Sequence, residues 1–189
     1  MDYVLYALGE LESFNSLLAV QRRTTNIIDP ATNKIESRDV PKDTYDQIAV
    51  HGLLTSNSDI KPVLSYHLRG GKPFPATAGV PPLTWSVYGS LGEIRVTAPS
   101  VLLNVGFEGT VLQVHDHASG EVTEVKVEED ELGDLPMLAR NVGHLYEAFA
   151  DGKDFPDFEV AVKMQALIDE MERRADGKMQ VQVAGYRGV

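Results

Sequence analysis

The sequence predicts an α+β domain: an open-faced, mostly antiparallel β-sheet with helices packed on one face. Three observations lead there. Short runs of β-branched and aromatic residues come in pairs around turn-rich tips, the pattern of hairpins. Helical periodicity is confined to the start of the chain and its C-terminal third, so helices cluster at the ends of a strand-rich middle. Hydrophobic residues make up 43% of 189 residues, enough for one ordinary domain with a sizeable core and too many for a disordered chain.

Met1 to Leu8 reads as a helix, with Tyr3, Tyr6 and Ala7 at helical spacing and Gly9 as a left-handed stop. Ser13 to Arg22 follows as a strand. Asn26 to Thr44, rich in Asp, Asn, Pro and Thr, reads as turns around one short strand at Lys34 to Val40. Gln47 to Thr55 and Pro62 to Arg69 make a hairpin about Ser56-Asn-Ser-Asp-Ile60. Four of the ten prolines fall between Pro73 and Pro82, which predicts an irregular loop. A second hairpin, Leu83 to Tyr88 with Glu93 to Ala98, turns at Gly89-Ser-Leu-Gly92. A third, Thr110 to His115 with Val122 to Val127, turns at His117-Ala-Ser-Gly120. Leu135 to Asp151 and Phe158 to Ala175 are amphipathic helices, the second with Val160, Val162, Met164, Leu167, Ile168 and Met171 as its buried stripe. Lys178 to Val183 adds a last strand before a loose tail at 184–189. With no repeat and no linker, the count is a single domain over 1–189.

Charge and composition exclude several classes of function. A net charge of -11 disfavours nucleic acid, whose phosphates call for clustered Lys and Arg; a basic pair such as Arg22-Arg23 is too short. There is no cysteine, hence no disulfide framework, thiolate nucleophile or Cys-based zinc site. The apolar runs fall short of the ~20 residues of a membrane span, and an acidic residue follows Met1 where a signal peptide carries positive charge. The address this predicts is cytoplasmic. No Gly-x-Gly-x-x-Gly follows a strand, and Gly70-Gly71 runs into Lys-Pro-Phe-Pro, which cannot open a helix. No nicotinamide cofactor, and no other cofactor, is expected for these residues alone.

Several stretches together resemble the C-terminal domain of the Gfo/Idh/MocA oxidoreductases. Asp2 stands seven residues before Gly9 of Leu8-Gly9-Glu10; then come DQIAVHGLLTS, VLSYHLRGGKPFP, the glycine-punctuated Trp85-Ser-Val-Tyr-Gly89-Ser-Leu-Gly92-Glu93-Ile94, and Phe155-Pro156-Asp157-Phe158 at the entry to the last helix. The flavour is that of fungal members, among them the yeast galactose-regulon repressor. The resemblance implies the second half of a two-domain architecture, without its nucleotide-binding Rossmann domain and without the segment that carries the family's general-acid lysine. It also implies a homodimer formed through the uncovered sheet face. Asp2 matches the aspartate of the family's His-x-x-Asp pair, whose histidine has no counterpart here; an aspartate at a helix start also serves as a cap.

The hairpin Gln47 to Arg69 is the candidate site. A turn near Asp59 sets His51 opposite His67, and any register with an even sum keeps both imidazoles on one face with Ser65 and Arg69. Two histidines and an arginine suit an anionic or enolic substrate and proton transfer near neutral pH; equally, sheet histidines are commonly satisfied by backbone or a nearby carboxylate. Trp85, beside the proline-rich loop, either walls a substrate pocket or packs in the core. His115 and His117 share a side of a strand but abut a turn, where polar residues are ordinary, so no metal site is assigned. His144 reads as a helix-face residue and Glu128-Glu-Asp-Glu131 as a solvated connector.

Two functions are compatible with this constellation. One is a cofactor-independent enzyme of small-molecule metabolism, of the fungal secondary kind, performing a non-redox cyclisation, isomerisation or dehydration with His67, His51, Arg69 and Asp2 as catalytic groups and Trp85 and Ser65 lining the pocket. The other is a non-catalytic dimeric regulatory or binding module. A fragment of a complete nicotinamide-dependent oxidoreductase is the third possibility.

Overall fold

The computed structural model describes residues 2–72, 74–102, 109–126, 130–153 and 155–176. It is α+β, with every strand pair antiparallel, in two compact units: residues up to Gly71 together with those from Phe158 onward, and Lys72–Asp157.

The first unit opens with α1 (Asp2–Leu8), which ends where Gly9 takes a φ of +100°. Strand β1 (Leu11–Ala19) pairs with β4 (Gln47–Leu54), which pairs with β5 (Val63–Arg69), giving the order β1-β4-β5. A register shift at Glu12 bends β1, and there Gly52 is obligatory: a Cβ would collide with the Ser13 carbonyl. Even-numbered residues of β4 and β5 face the core, where Val50, Leu54 and Leu64 are buried. Helix α3 (Phe158–Asp176) covers that face along β1. Met171 is buried, the Ser16 hydroxyl donates to its carbonyl at 3.4 Å, and the Arg174 guanidinium lies 4.1 Å over the Phe14 ring while also donating to the Phe14 carbonyl. Glu170 holds Arg173 and Arg174 in place at 2.7 and 2.6 Å. The stripe of α3 is therefore Met164, Leu167 and Met171; Val160, Val162 and Ile168, expected to join it, point to solvent.

Between β1 and β4 the chain forms a two-stranded ribbon, β2 (Thr24–Ile28) with β3 (Ile35–Pro41). Only β3 is legible in advance. In β2, Thr24, Thr25 and Asn26 precede the two isoleucines with no alternation to mark a strand. Asp29 makes the tip, accepting from Ala31 N and the Thr32 hydroxyl.

One buried carboxylate ties the ribbon to the sheet. Asp46 accepts from Gln21 N (3.0 Å) and Arg22 N (2.7 Å), with Lys42 Nζ and Gln47 Nε2 each at 3.4 Å. Its own N–H donates to the Ala19 carbonyl, and its carbonyl accepts from Gly70 N at 2.6 Å. Arg22 reaches on to the Gly70 carbonyl, and its guanidinium fills the space where a side chain at residue 71 would begin; Gly71 also has a φ of +109°.

The second unit is a four-stranded meander: β6 (Leu83–Tyr88), β7 (Gly92–Ala98), β8 (Val111–Asp116) and β9 (Val122–Val125), in that spatial order. Registers place Leu83, Trp85, Val96, Leu112 and Val114 on one face, with Leu83 and Ala98 buried. A single-turn 3₁₀ helix, Ala76–Ala78, interrupts the proline-rich loop. Helix α2 (Met137–Ala150) is preceded by a strap: Arg140 donates to the Leu135 and Gly133 carbonyls at 3.1 and 2.7 Å, and His144 Nε2 meets Asp130 Oδ1 at 2.7 Å. Asp130, in the acidic run read as a connector, also accepts from Leu132 N. The expected strand at 178–183 and the tail at 184–189 lie outside the described residues. Among the described residues no helix is long and apolar enough to cross a membrane.

Two outcomes follow from these contacts. The Asp46 carboxyl is held down to about 2 from its ordinary 3.8, chiefly by Gln21 N–H, with Arg22 N–H, Gln47 and Lys42 adding to it against the opposing effect of burial. A carboxyl that binds its proton more weakly when folded stabilises fully above the unfolded value of ~3.9 and loses that contribution as the pH falls towards the folded value. Asp46→Asn is expected to lower the midpoint of thermal unfolding by several degrees at neutral pH and to flatten its decline between pH 4 and 2, read by circular dichroism; an unchanged acid limb removes Asp46 from this role. His144 is raised above its ordinary 6.5, first by its bond to Asp130 and further by Glu147, while Leu132 N–H and then His144 lower Asp130. The strap is thus held most firmly below ~6.5 and loosens as the pH climbs through the raised histidine value. Hydrogen exchange corrected for intrinsic rates should show residues 130–135 opening across that window, and His144→Gln should abolish the step.

Candidate functional site

The β4–β5 register decides which side chains meet. Gln47 pairs with Arg69, Ala49 with His67 and His51 with Ser65. His51 therefore does not stand directly opposite His67, because the turn closes one residue earlier than a centre at Asp59 requires. The sum stays even, and both imidazoles remain on one face as diagonal neighbours, about 7–8 Å apart along the ladder. Ser65 and Arg69 share that face, and the β1–β4 register adds Asn15, opposite His51, and Leu17, opposite Ala49. Tyr66 points the other way, half-buried, as expected of a core residue.

This is the side of the sheet opposite α3. His51, Ser65, His67, Arg69 and Asn15 are all exposed, as are Leu17 (65%) and Val63 (77%). No other described residue engages the side chains of His51, Ser65, His67 or Arg69 by hydrogen bond or ion pair. The pleat has a further consequence. From Ser13 to Ala19, Gln47 to Leu53 and Val63 to Arg69, no odd-numbered position carries a carboxylate, in a chain with 28 acidic residues. The face is neutral to basic on a protein of net charge -11.

Chemically, the face offers imidazole, guanidinium, amide and hydroxyl groups to an anionic or neutral partner. In the isolated chain they stand in water, where each charge interaction is screened and no reacting group is shielded from solvent. Of the other expected site residues, Trp85 belongs to the second unit, half-buried opposite Val96 on the apolar face of its sheet. The side chain of Asp2 lies outside the described residues, although its backbone begins α1. His115 and His117 do lie on one side, with ring centroids 5.3 Å apart, and the Tyr88 ring lies tilted against His117 with centroids 5.0 Å apart. Among the described residues no group of three or more His, Cys, Asp or Glu is placed to hold a metal. His115 instead borders a shallow hollow of about 150 Å³ with Glu93, Arg95, Gln113 and Val122.

At Gly70-Gly71, the nearest approach in the sequence to a phosphate-cradling loop, the Arg22 guanidinium lies against Gly71 and donates to the Gly70 carbonyl, and Asp46 packs against Gly70. Asp46 is the residue that sequence reasoning passed over. Its signal was present: an aspartate between a turn and a strand of which the paired partner ends in Gly-Gly, with a basic pair upstream.

A search of curated proteins returned no match. A family model described as the C-terminal domain of Gal80p matches residues 1–98, which hold α1, the whole β1-β4-β5 sheet with its ribbon, and the β6–β7 hairpin. That span contains the candidate face and more than half of the chain, and with the open-faced antiparallel fold around it the chain belongs to the Gal80p C-terminal-domain-like family, of Gfo/Idh/MocA type.

Proposed function

We propose that the chain is a dimeric binding module, a regulatory-type domain that works by docking the open face of β1-β4-β5 against a second copy of itself. The observation that carries this reading is the composition of that face. Leu17 and Val63 stand in water on a sheet surface whose one carboxylate, Glu12 at the bulged end, is paired with Lys61 at 2.8 Å, so two copies can meet without the acidic repulsion that the rest of the chain would impose. An isologous contact makes every contact twice and sets residues at its two-fold axis against their own mates, where hydrogen-bonding groups such as Asn15 and Ser65 are compatible with themselves.

The gathering of His51, Ser65, His67 and Arg69 on one face favours a second reading: a cofactor-independent, non-redox step on a small organic substrate, such as isomerisation, dehydration or cyclisation. Arg69 would hold an anionic group and the imidazoles would move a proton. This requires a second wall to exclude water from an otherwise open surface.

Sedimentation equilibrium separates monomer from dimer directly. Leu17→Asp combined with Val63→Asp is expected to weaken self-association at least ~30-fold, the effect of losing ~2 kcal/mol at an interface centre, with the circular dichroism spectrum unchanged. A wild-type chain that sediments as a monomer at every concentration overturns the module. For the second reading, any turnover found must fall sharply in His67→Ala; turnover that survives the substitution removes the histidine pair from the chemistry.

A further inference from the structure

We infer that the β2–β3 ribbon is an exchange arm that clasps the open sheet face of a second copy of this chain. The inference rests on the dimeric reading above and names the element that completes its interface.

The ribbon is exposed throughout: every residue of β2, and all of β3 except Val40. It displays Ile27, Ile28 and Ile35 to solvent, and its register slips twice within five residues, so its ladder is interrupted. A lone two-stranded hairpin is marginal in water and gains stability from a surface to cover. Its base, by contrast, is fixed. Lys42 N donates to the Arg23 carbonyl at 2.8 Å, and Asp46 grips both legs through Arg22 N and Lys42 Nζ. A rigid base under an uncovered, isoleucine-bearing ribbon is the anatomy of an arm.

Two arguments select a second copy as its partner. The first is area. Three strands of about seven residues present a flat footprint of roughly 330 Å², short of the ~600 Å² per partner at the lower end of stable interfaces. One broad side of the ribbon adds roughly 220 Å², which closes most of the gap without calling on any other surface. The second is charge. The open face has Arg69, His51 and His67, and its one carboxylate, Glu12 at the bulged end, is already taken by Lys61, whereas the ribbon exposes Glu36 and Asp39 beside Lys34 and Arg38. The free carboxylates missing from the face are available on the arm.

The native chain has no cysteine, so engineered thiols report without background. One preparation carries Ser37→Cys on the ribbon and another Ala49→Cys at the centre of the open face. Mixed and treated with a short bismaleimide, they are expected to give a crosslinked species of twice the chain mass, containing one copy of each variant. Replacing Ile27, Ile28 and Ile35 by Thr in both preparations should reduce that species at least ~10-fold. If the wild type sediments as a dimer and the mixture yields no mixed crosslink, the arm is refuted and the face-to-face dimer stands. If the wild type is monomeric, both fall. A ribbon-face crosslink that forms only within a single chain carrying both substitutions likewise overturns the exchange.

Discussion

The first unit is organised around a carboxylate that water barely reaches. Asp46 accepts backbone N–H groups from Gln21 and Arg22 at the end of β1, a lysine from the returning leg of the ribbon and the side chain at the start of β4, while its own backbone bridges Ala19 and Gly70. A buried charge is tolerated only when it is paired and hydrogen-bonded. Here those bonds come from three separate stretches of chain, so satisfying the charge sets the end of the sheet. Arg22 extends the constraint by donating to the Gly70 carbonyl just past the end of β5, beside Gly71, whose φ of +109° favours glycine.

From that fixed end, strand alternation carries consequences across the sheet. Even-numbered positions of β4 and β5 bury Val50, Leu54 and Leu64, at about 1.5–3 kcal/mol for each large aliphatic side chain. Odd-numbered positions receive the histidines, Arg69 and the exposed Leu17 and Val63. The bulge at Glu12 bends β1 just before Phe14, which stands opposite Gly52, and the Arg174–Phe14 contact seals that side. The two sides of one sheet therefore differ: one is covered by its own helix, and the other leaves its side chains exposed. Groups held in bulk solvent on that side are neither desolvated nor preorganised until something covers them.

Much of this was legible from residue patterns. Both hairpins with compact, polar or glycine-bounded turns, Gln47 to Arg69 and Leu83 to Ala98, emerged within two residues at each end, because period-two alternation between unambiguous turns leaves little freedom. The sharing of a face by His51 and His67 was readable because it depends only on parity; their direct pairing was not, because it depends on how many residues the turn consumes. Strand β2 was hidden because Thr24, Thr25 and Asn26 do not alternate with apolar residues, and its partner, not its own pattern, makes it a strand. In α3, Val160 and Val162 are apolar yet exposed: helical periodicity alone admitted a wider stripe than the narrow contact with β1 uses. Asp46 and His144 escaped because their importance lies in who meets them: Gln21 is 25 residues away from the first and Asp130 14 from the second.

The first unit is discontinuous along the chain, and this bears on how it is made. Strand β1 receives its helical cover from α3, with Ser16 and Met171 separated by 155 positions. During synthesis, at roughly 5–20 residues per second, several seconds pass between the emergence of the early sheet from the ribosome and that of its lid. Throughout that interval Phe14, Leu18 and Val50 have only transient cover, and the nascent chain is at its most vulnerable to chaperone capture and to misassociation with its neighbours on the same messenger.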